Sequence, residues 1–363
     1  MNLVSTNIDN KLNKKDDSIE VVFKDLSRKL SKTCDVLNDI ERASVGNTKS
    51  RIIYENEIYR LLHYEPVFKN PMKIPVLIVY ALINRSYILD LQSNKSWVKN
   101  LVDQGFDVYL IDWKDPPYTS KYISFDDYVN YYIDDCVDMI RNNHSVDQIT
   151  LHGYCMGSTM SAMYCSLNKH KIKNLITLAP VINTEKDSTI IGNFARTMNA
   201  DKILDSIGNL STDILYSCFS TLKPFKQGFN KYINLVENID NTKFVDNFLK
   251  IERWLYDTPP ISGETFKQWV VDIYQQNLLY HNKFRLGNKR IDLKKIDIPV
   301  LNIVANEDHL VSPECSTSFN DVISTEDKTL LRFPTGHVGL IASSYSQKNV
   351  LPRVGRWLRK RSS

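Results

Sequence analysis

Ile149-Thr150-Leu151-His152-Gly153-Tyr154-Cys155-Met156-Gly157-Ser158-Thr159 decides the fold. Its apolar, β-branched start reads as a buried strand, its Gly-x-Cys-x-Gly centre as a sharp turn, and the small residues that follow as the first turn of a helix. That order makes a nucleophile elbow, with cysteine where hydrolases usually carry serine. Gly153 and Gly157 remove side chains that would crowd so tight a turn. Cys155 falls at the tip, beside a helix N-terminus whose positive end favours a thiolate. A sulfur nucleophile gives a thioester intermediate, so transfer from a thioester substrate is nearly isoenergetic. That suits an enzyme that hands an acyl group onward instead of giving it to water. Taken alone, the same residues also fit a small buried cysteine in a structural turn.

An elbow of this kind is followed along the chain by an acid and then a histidine. Pro299-Val300-Leu301-Asn302-Ile303-Val304-Ala305 reads as a late buried strand, and it ends in Asn306-Glu307-Asp308-His309-Leu310-Val311. Asp308 is read as the acid in preference to Glu307, from its turn position and the apolar pair after it. Thr329–Phe333 reads as the next strand, and His337 follows it in the glycine-flanked Gly336-His337-Val338-Gly339. A neutral imidazole takes the proton of a thiol or hydroxyl and returns it later, while a carboxylate fixes its tautomer. His309 reads as a loop residue and His152 as packed in the sheet; His63, His144, His170 and His281 lack a comparable context. The oxyanion hole is expected to use the backbone N–H of Met156. Its second donor is expected from the loop after Pro75–Tyr80, at either Leu82 or Ile83.

Further strands are predicted near 75–82, 106–113, 148–153 and 174–179, besides 299–305 and 329–333, with amphipathic helices between them. This alternation predicts an α/β-hydrolase fold, a mostly parallel sheet with helices on both faces. The expected domains are a core of 51–182 and 293–363, a helical cap of 183–292, and an N-terminal tail and amphipathic helix in 1–50. The cap segment is rich in aromatics, among them Phe219, Phe225, Phe229, Phe244, Phe248, Trp254, Phe266 and Trp269. They are expected to build the cap's own core, some of them lining an apolar tunnel or a dimer contact. Ile19, Val22, Phe23, Leu26, Leu30, Cys34 and Leu37 recur at helical spacing. That helix packs on its own domain or binds a partner, and both readings stay open. Arg353, Arg356, Arg359, Lys360 and Arg361 read as a solvated helix face.

The 363 residues, 42% of them hydrophobic, are ample for a large core. A net charge of +4 gives no argument for a nucleic-acid partner. The longest apolar run, Pro75 to Ile83, falls far short of the ~18 residues of a transmembrane segment. Met1–Asn10 lacks the basic start and apolar stretch of a signal peptide. Six scattered cysteines without metal-type spacing read as reduced thiols of a cytoplasmic protein. No P-loop or dinucleotide fingerprint appears, so neither a cofactor nor a metal is expected.

With these motifs in order, the chain resembles the catalytic subunit of the short, two-subunit polyhydroxyalkanoate synthases, class III and class IV, from about residue 50 to the C-terminus. The resembling segments are Pro75–Arg85, Asp107–Trp113, the Cys155 elbow, Leu222-Lys223-Pro224-Phe225, Gly263-Glu264-Thr265-Phe266, Asn306–Val311 and Gly336–Gly339. One departure is Ser158, where the family commonly has a second glycine after the nucleophile; a local adjustment is expected. The resemblance implies transfer of a hydroxyacyl group from (R)-3-hydroxyacyl-CoA to Cys155, with His337 as general base. Asp308 either orients His337 or helps activate the attacking hydroxyl. It also implies a growing polyester chain, a second synthase subunit, a homodimer contact through the cap, and a place at the surface of cytoplasmic polymer granules. The alternatives are a thioesterase or polyester depolymerase of the same fold, and a non-catalytic granule protein.

Overall fold

A computed structural model of the chain describes residues 19–68, 71–221 and 230–362. By internal contacts the chain divides into two units, one of 1–44 with 223–253 and one of 45–222 with 254–363.

The second unit holds an eight-stranded sheet. Its strands are β1 (Ser50–Glu55), β2 (Tyr59–Tyr64), β3 (Val76–Val79), β4 (Val108–Trp113), β5 (Ile149–Tyr154), β6 (Ile172–Leu178), β7 (Val300–Ala305) and β8 (Lys328–Phe333). They lie in the order β1-β2-β4-β3-β5-β6-β7-β8. From β4 to β8 every pairing is parallel, and β2 alone runs the other way, pairing antiparallel with both β1 and β4. Every residue of β3, β4, β5 and β7 is buried. Neighbouring residues of a strand point to opposite faces, so both faces of the sheet are covered. The predicted fold class and its six parallel strands are thus present. β1 and β2 are additions: β1 is a largely exposed edge strand with a register shift between Ile52 and Tyr54, and it carries Arg51 and Glu55. A bulge and charged side chains both discourage further pairing at a sheet edge.

Because β5, β7 and β8 are parallel, the residues that follow them gather at one end of the sheet. Cys155, Asp308 and His337 are those residues. The same unit contains helices Ile190–Thr197, Ala200–Ile207, Thr212–Thr221 and Gly263–Gln268, the last continuing as π-helical turns through Trp269–Gln275. Ala200, Leu210, Leu215, Ile261, Phe266 and Val270 form a hydrophobic core of their own there.

In the first unit, helix Ile19–Leu37 has the predicted boundaries. Arg28 and Lys32 both bind Asp240, and Lys231 binds the buried Glu252. Val21, Phe23, Leu26 and Leu30 are exposed. Met1–Asn10, Leu222–Phe225 and Phe229, all singled out above, lie outside the described residues, as does the side chain of Phe219.

Candidate active site

β5 ends at Tyr154, and helix Met156–Asn168 starts two residues later. Cys155 alone makes the turn, at φ 54° and ψ −123°. An L-residue with a side chain is strained there, by an amount of order 1–3 kcal/mol. Both glycines are required by contact. A Cβ on Gly157 would stand 2.1 Å from the Val79 carbonyl oxygen, and one on Gly153 would stand 2.3 Å from Ser158 Cα. Ser158, the departure from the family pattern, is buried and tied to β6. Its Oγ donates to the Leu178 carbonyl and accepts from the Leu178 N–H, both at 2.9 Å. The Cys155 N–H also donates to the Leu178 carbonyl, at 2.8 Å. The serine therefore anchors the elbow to the neighbouring strand.

Asp308 is buried whereas Glu307 is exposed, which separates the two candidate acids. Asp308 Oδ1 accepts from the Leu310 and Val311 N–H groups at 2.9 and 3.0 Å, and Oδ2 lies 2.6 Å from His337 Nδ1. Burial alone would raise this carboxyl, but the His337 ring and the two N–H groups outweigh it and hold Asp308 below the usual carboxylate range. For His337, burial pulls toward the neutral ring. The Asp308 carboxylate and the Cys155 sulfur oppose it, raising His337 to about 10. The Tyr154 ring lies 5.1 Å from the imidazole, and its hydroxyl donates to the His337 carbonyl at 3.4 Å. The structure thus brings Cys155, Asp308 and His337 together. Cys155 is partly exposed; Cys136, Cys165 and Cys315 are buried, and burial pushes their thiols well up.

Met156 is the first residue of the helix, and its side chain is buried. The facing loop is clamped from one side. Asn84, at φ 59°, donates to Thr258 Oγ1 and the Trp254 carbonyl; Arg85 pairs with Asp115 and Asp257; and Trp254 Nε1 donates to the Arg85 carbonyl at 2.8 Å. Sequence reasoning missed this clamp. An Asn-Arg pair was the available signal, since asparagine tolerates the left-handed region better than other side chains do. Leu82 is buried, and Ile83 lines a cavity of about 620 Å³ that also reaches Met156.

The remaining histidines lie elsewhere. His152 is fully buried and accepts a hydrogen bond from Trp97 Nε1 at 3.0 Å. His63 Nε2 lies 2.6 Å from Asp107, at the opposite end of β4 from the elbow side, while its Nδ1 accepts from Arg51 Nε at 3.2 Å. His144 meets the Tyr109 hydroxyl at 2.8 Å. Among the described residues no three His, Cys, Asp or Glu side chains gather into a group able to hold a metal ion. Nor is any helix among them long and apolar enough to cross a membrane.

Comparison with known proteins agrees with this architecture. The α/β-hydrolase fold family matches residues 74–343, and the family described as the N-terminus of poly-beta-hydroxybutyrate polymerase (PhaC) matches residues 16–101. The poly(3-hydroxyalkanoate) polymerase subunit PhaC of Haloferax mediterranei is 40% identical, over 93% of this chain and 69% of its own length. That of Thiocystis violacea is 39% identical, over 93% of this chain and 96% of its own. Among solved structures, the monoacylglycerol lipase of Paleococcus ferrophilus superposes with a TM-score of 0.53 at 18% identity, covering 85% of this chain and all of the lipase. At that identity the likeness concerns the fold alone.

Proposed function

This chain belongs to the family of poly(3-hydroxyalkanoate) polymerase PhaC subunits, and from that premise we propose that Cys155 carries the growing acyl chain while Asp308 and His337 move its protons. The protein is an acyltransferase that polymerises hydroxyacyl units delivered as coenzyme A thioesters, here taken as (R)-3-hydroxyacyl-CoA. The reading rests on one observation: His337 stands between a buried carboxylate and the sulfur of a strained elbow. Cys155 gives its proton to His337, and the sulfur attacks the thioester carbonyl. Backbone N–H groups at Met156, and at Leu82 or Ile83, receive the oxyanion. The carbon–sulfur bond to coenzyme A breaks, and the departing thiolate takes the proton from His337. In elongation, neutral His337 accepts the proton of the next unit's hydroxyl as its oxygen attacks the Cys155 thioester. The freed sulfur then recaptures the lengthened chain from coenzyme A. Each cycle adds one ester and releases one coenzyme A thiol. Asp308 holds the His337 tautomer throughout, through the 2.6 Å contact of its Oδ2 with Nδ1.

Incubating the purified chain with 3-hydroxybutyryl-CoA tests this. Insoluble polymer supports it, free hydroxy acid points to a thioesterase or depolymerase, and absence of coenzyme A release points to a granule protein without activity. Mass spectrometry of the quenched enzyme should find the acyl group on Cys155; acylation only at Cys165 or Cys218 would sink the assignment. Segment 183–292 is taken as the cap, with a homodimer contact through it. A second synthase subunit completes the enzyme at the granule surface, and the exposed Val21, Phe23, Leu26 and Leu30 of helix Ile19–Leu37 are its candidate contact. Co-purification with and without residues 1–40 tests the contact. Full turnover by the chain alone, unchanged by any second subunit, would remove the partner.

A further inference from the structure

The acyl unit that first reaches Cys155 carries a hydroxyl two carbons beyond its carbonyl. Among apolar walls such a hydroxyl costs free energy unless a polar group meets it. A group placed to meet it would also tell this acyl unit from its relatives.

A second buried acid stands beside the site, and the mechanism above makes no use of it. The turn after Asp308 serves both carboxyls. Its Leu310 and Val311 N–H groups go to Asp308, and the next one, of Ser312, goes to Asp187 Oδ1 at 3.3 Å. The Thr189 N–H donates to the same oxygen at 3.1 Å. Asp187 Oδ2 is buried and, among the described residues, makes no hydrogen bond. A Cβ on Gly192 would stand 3.0 Å from it, so the helix backbone closes one side. The Tyr274 hydroxyl faces this carboxyl and lies within electrostatic reach of the Cys155 sulfur.

Tyr274 is buried in the π-helical turns Trp269–Gln275. With Met156 it lines the cavity beside the elbow, where it is the one hydroxyl among the described lining residues. Burial first, and then Asp187, raises this phenol well above its ordinary range, so its proton stays in place. A buried acceptor behind a hydroxyl also sets its direction. With the proton turned to Asp187 Oδ2, the Tyr274 oxygen offers only lone pairs to the cavity. It can then receive a hydroxyl, but neither a methylene nor a ketone.

We propose that Tyr274, its proton turned to Asp187, recognises the 3-hydroxyl of the unit that first acylates Cys155, and so selects 3-hydroxyacyl over unsubstituted and 3-oxoacyl thioesters. The assignment rests on the acyl-transfer reading above.

Single-turnover release of coenzyme A tests it. Wild type should acylate about a hundredfold faster from 3-hydroxybutyryl-CoA than from butyryl-CoA. Tyr274→Phe should bring that ratio below about tenfold, slowing the hydroxy substrate while butyryl-CoA stays within about twofold. An unchanged ratio, or an equal slowing of both, overturns the proposal. Asp187→Asn reads the same pair without touching Tyr274, and carries the test should Tyr274→Phe not fold. The two N–H groups at Oδ1 hold the amide oxygen there, so the amide N–H₂ replaces Oδ2 and turns the Tyr274 proton toward the cavity. Acetoacetyl-CoA should then gain about tenfold on 3-hydroxybutyryl-CoA; no gain overturns the proposal. If no thioester acylates the wild type, the acyl-transfer reading fails, and calorimetry on a Cys155→Ala background decides the pair alone. The hydroxy thioester should bind more tightly than butyryl-CoA with Tyr274 and equally with Phe at that position. Equal binding with Tyr274 in place overturns the proposal.

Discussion

His337 and His63 each lie 2.6 Å from a buried aspartate, at opposite ends of one sheet, and of the two only His337 faces the proposed nucleophile, Cys155. The two pairs use opposite ring atoms. His337 gives Nδ1 to Asp308, leaving Nε2 for the elbow. His63 gives Nε2 to Asp107, and its Nδ1 is already taken by Arg51. With Arg51 donating to Nδ1 and Asp107 facing Nε2, neither ring nitrogen of His63 is left for a substrate. It is also stacked on Tyr109 at 4.4 Å. A histidine–aspartate pair is therefore a structural pin unless the second nitrogen is left open. What opens it here is the order of the strands: β5 and β8 deliver their loops to one end, whereas β2 brings His63 to the start of β4.

The contrast is open to breaking, beginning with the largest effect. Cys155→Ala should abolish coenzyme A release with the fold retained, by circular dichroism and thermal melt. His337→Gln should cut kcat by more than the ~10²–10⁴ of an ordinary acid–base group, since thiol activation goes with it. His63→Gln should leave kcat within about twofold but cost about 1–3 kcal/mol of stability by stranding a buried carboxylate. A collapse of kcat in folded His63→Gln would erase the distinction. Asp308→Asn should slow elongation at least as much as first acylation; polymer formation at the wild-type rate would remove Asp308 from the mechanism.

A third histidine sharpens the comparison, because it has no acid at all. Burial lowers His152 to about 4, and among the described residues its Nδ1 has no hydrogen-bond partner. Between that value and the ordinary ~6.5 of an unfolded histidine, the unfolded chain binds more protons than the folded one. Stability from this group is full above about 6.5 and falls as the pH drops toward 4, by at most about 3 kcal/mol. Urea melts of wild type and His152→Gln should diverge least near pH 4. A wild-type advantage independent of pH would refute the shift.

The sheet end that holds the site was readable because its signals are local. Gly153, Gly157 and the apolar strands before Cys155 and Asp308 state their backbone requirements in a few consecutive residues. β1 and β2 were not readable in the same way. β1 is exposed along most of its length, so no buried face imposes an alternation, and its register slips at Ile52. The choice of Asp308 over Glu307 followed from the turn, but the reason His63 fails as a catalyst did not. It depends on Arg51 and Asp107, which meet His63 only through strand pairing. The clamp on Asn84 and Arg85 is hidden likewise, since its partners at 254–258 are remote in sequence. The aromatics of 183–292 announced a hydrophobic cluster, yet not the largely aliphatic cavity that reaches Met156.

The positive φ of Cys155 reaches beyond its reaction. The backbone there would rest easily only as glycine, so the proposed nucleophile sits at a position the fold would prefer to give up. Cys155→Gly, although dead, should melt at a higher temperature than the active chain. A copy of this gene released from making polymer would then face no folding penalty for losing its sulfur, and drift would favour that loss. On the proposed role, an intact cysteine at 155 is in this sense a sign of continuing use, kept against the grain of the scaffold.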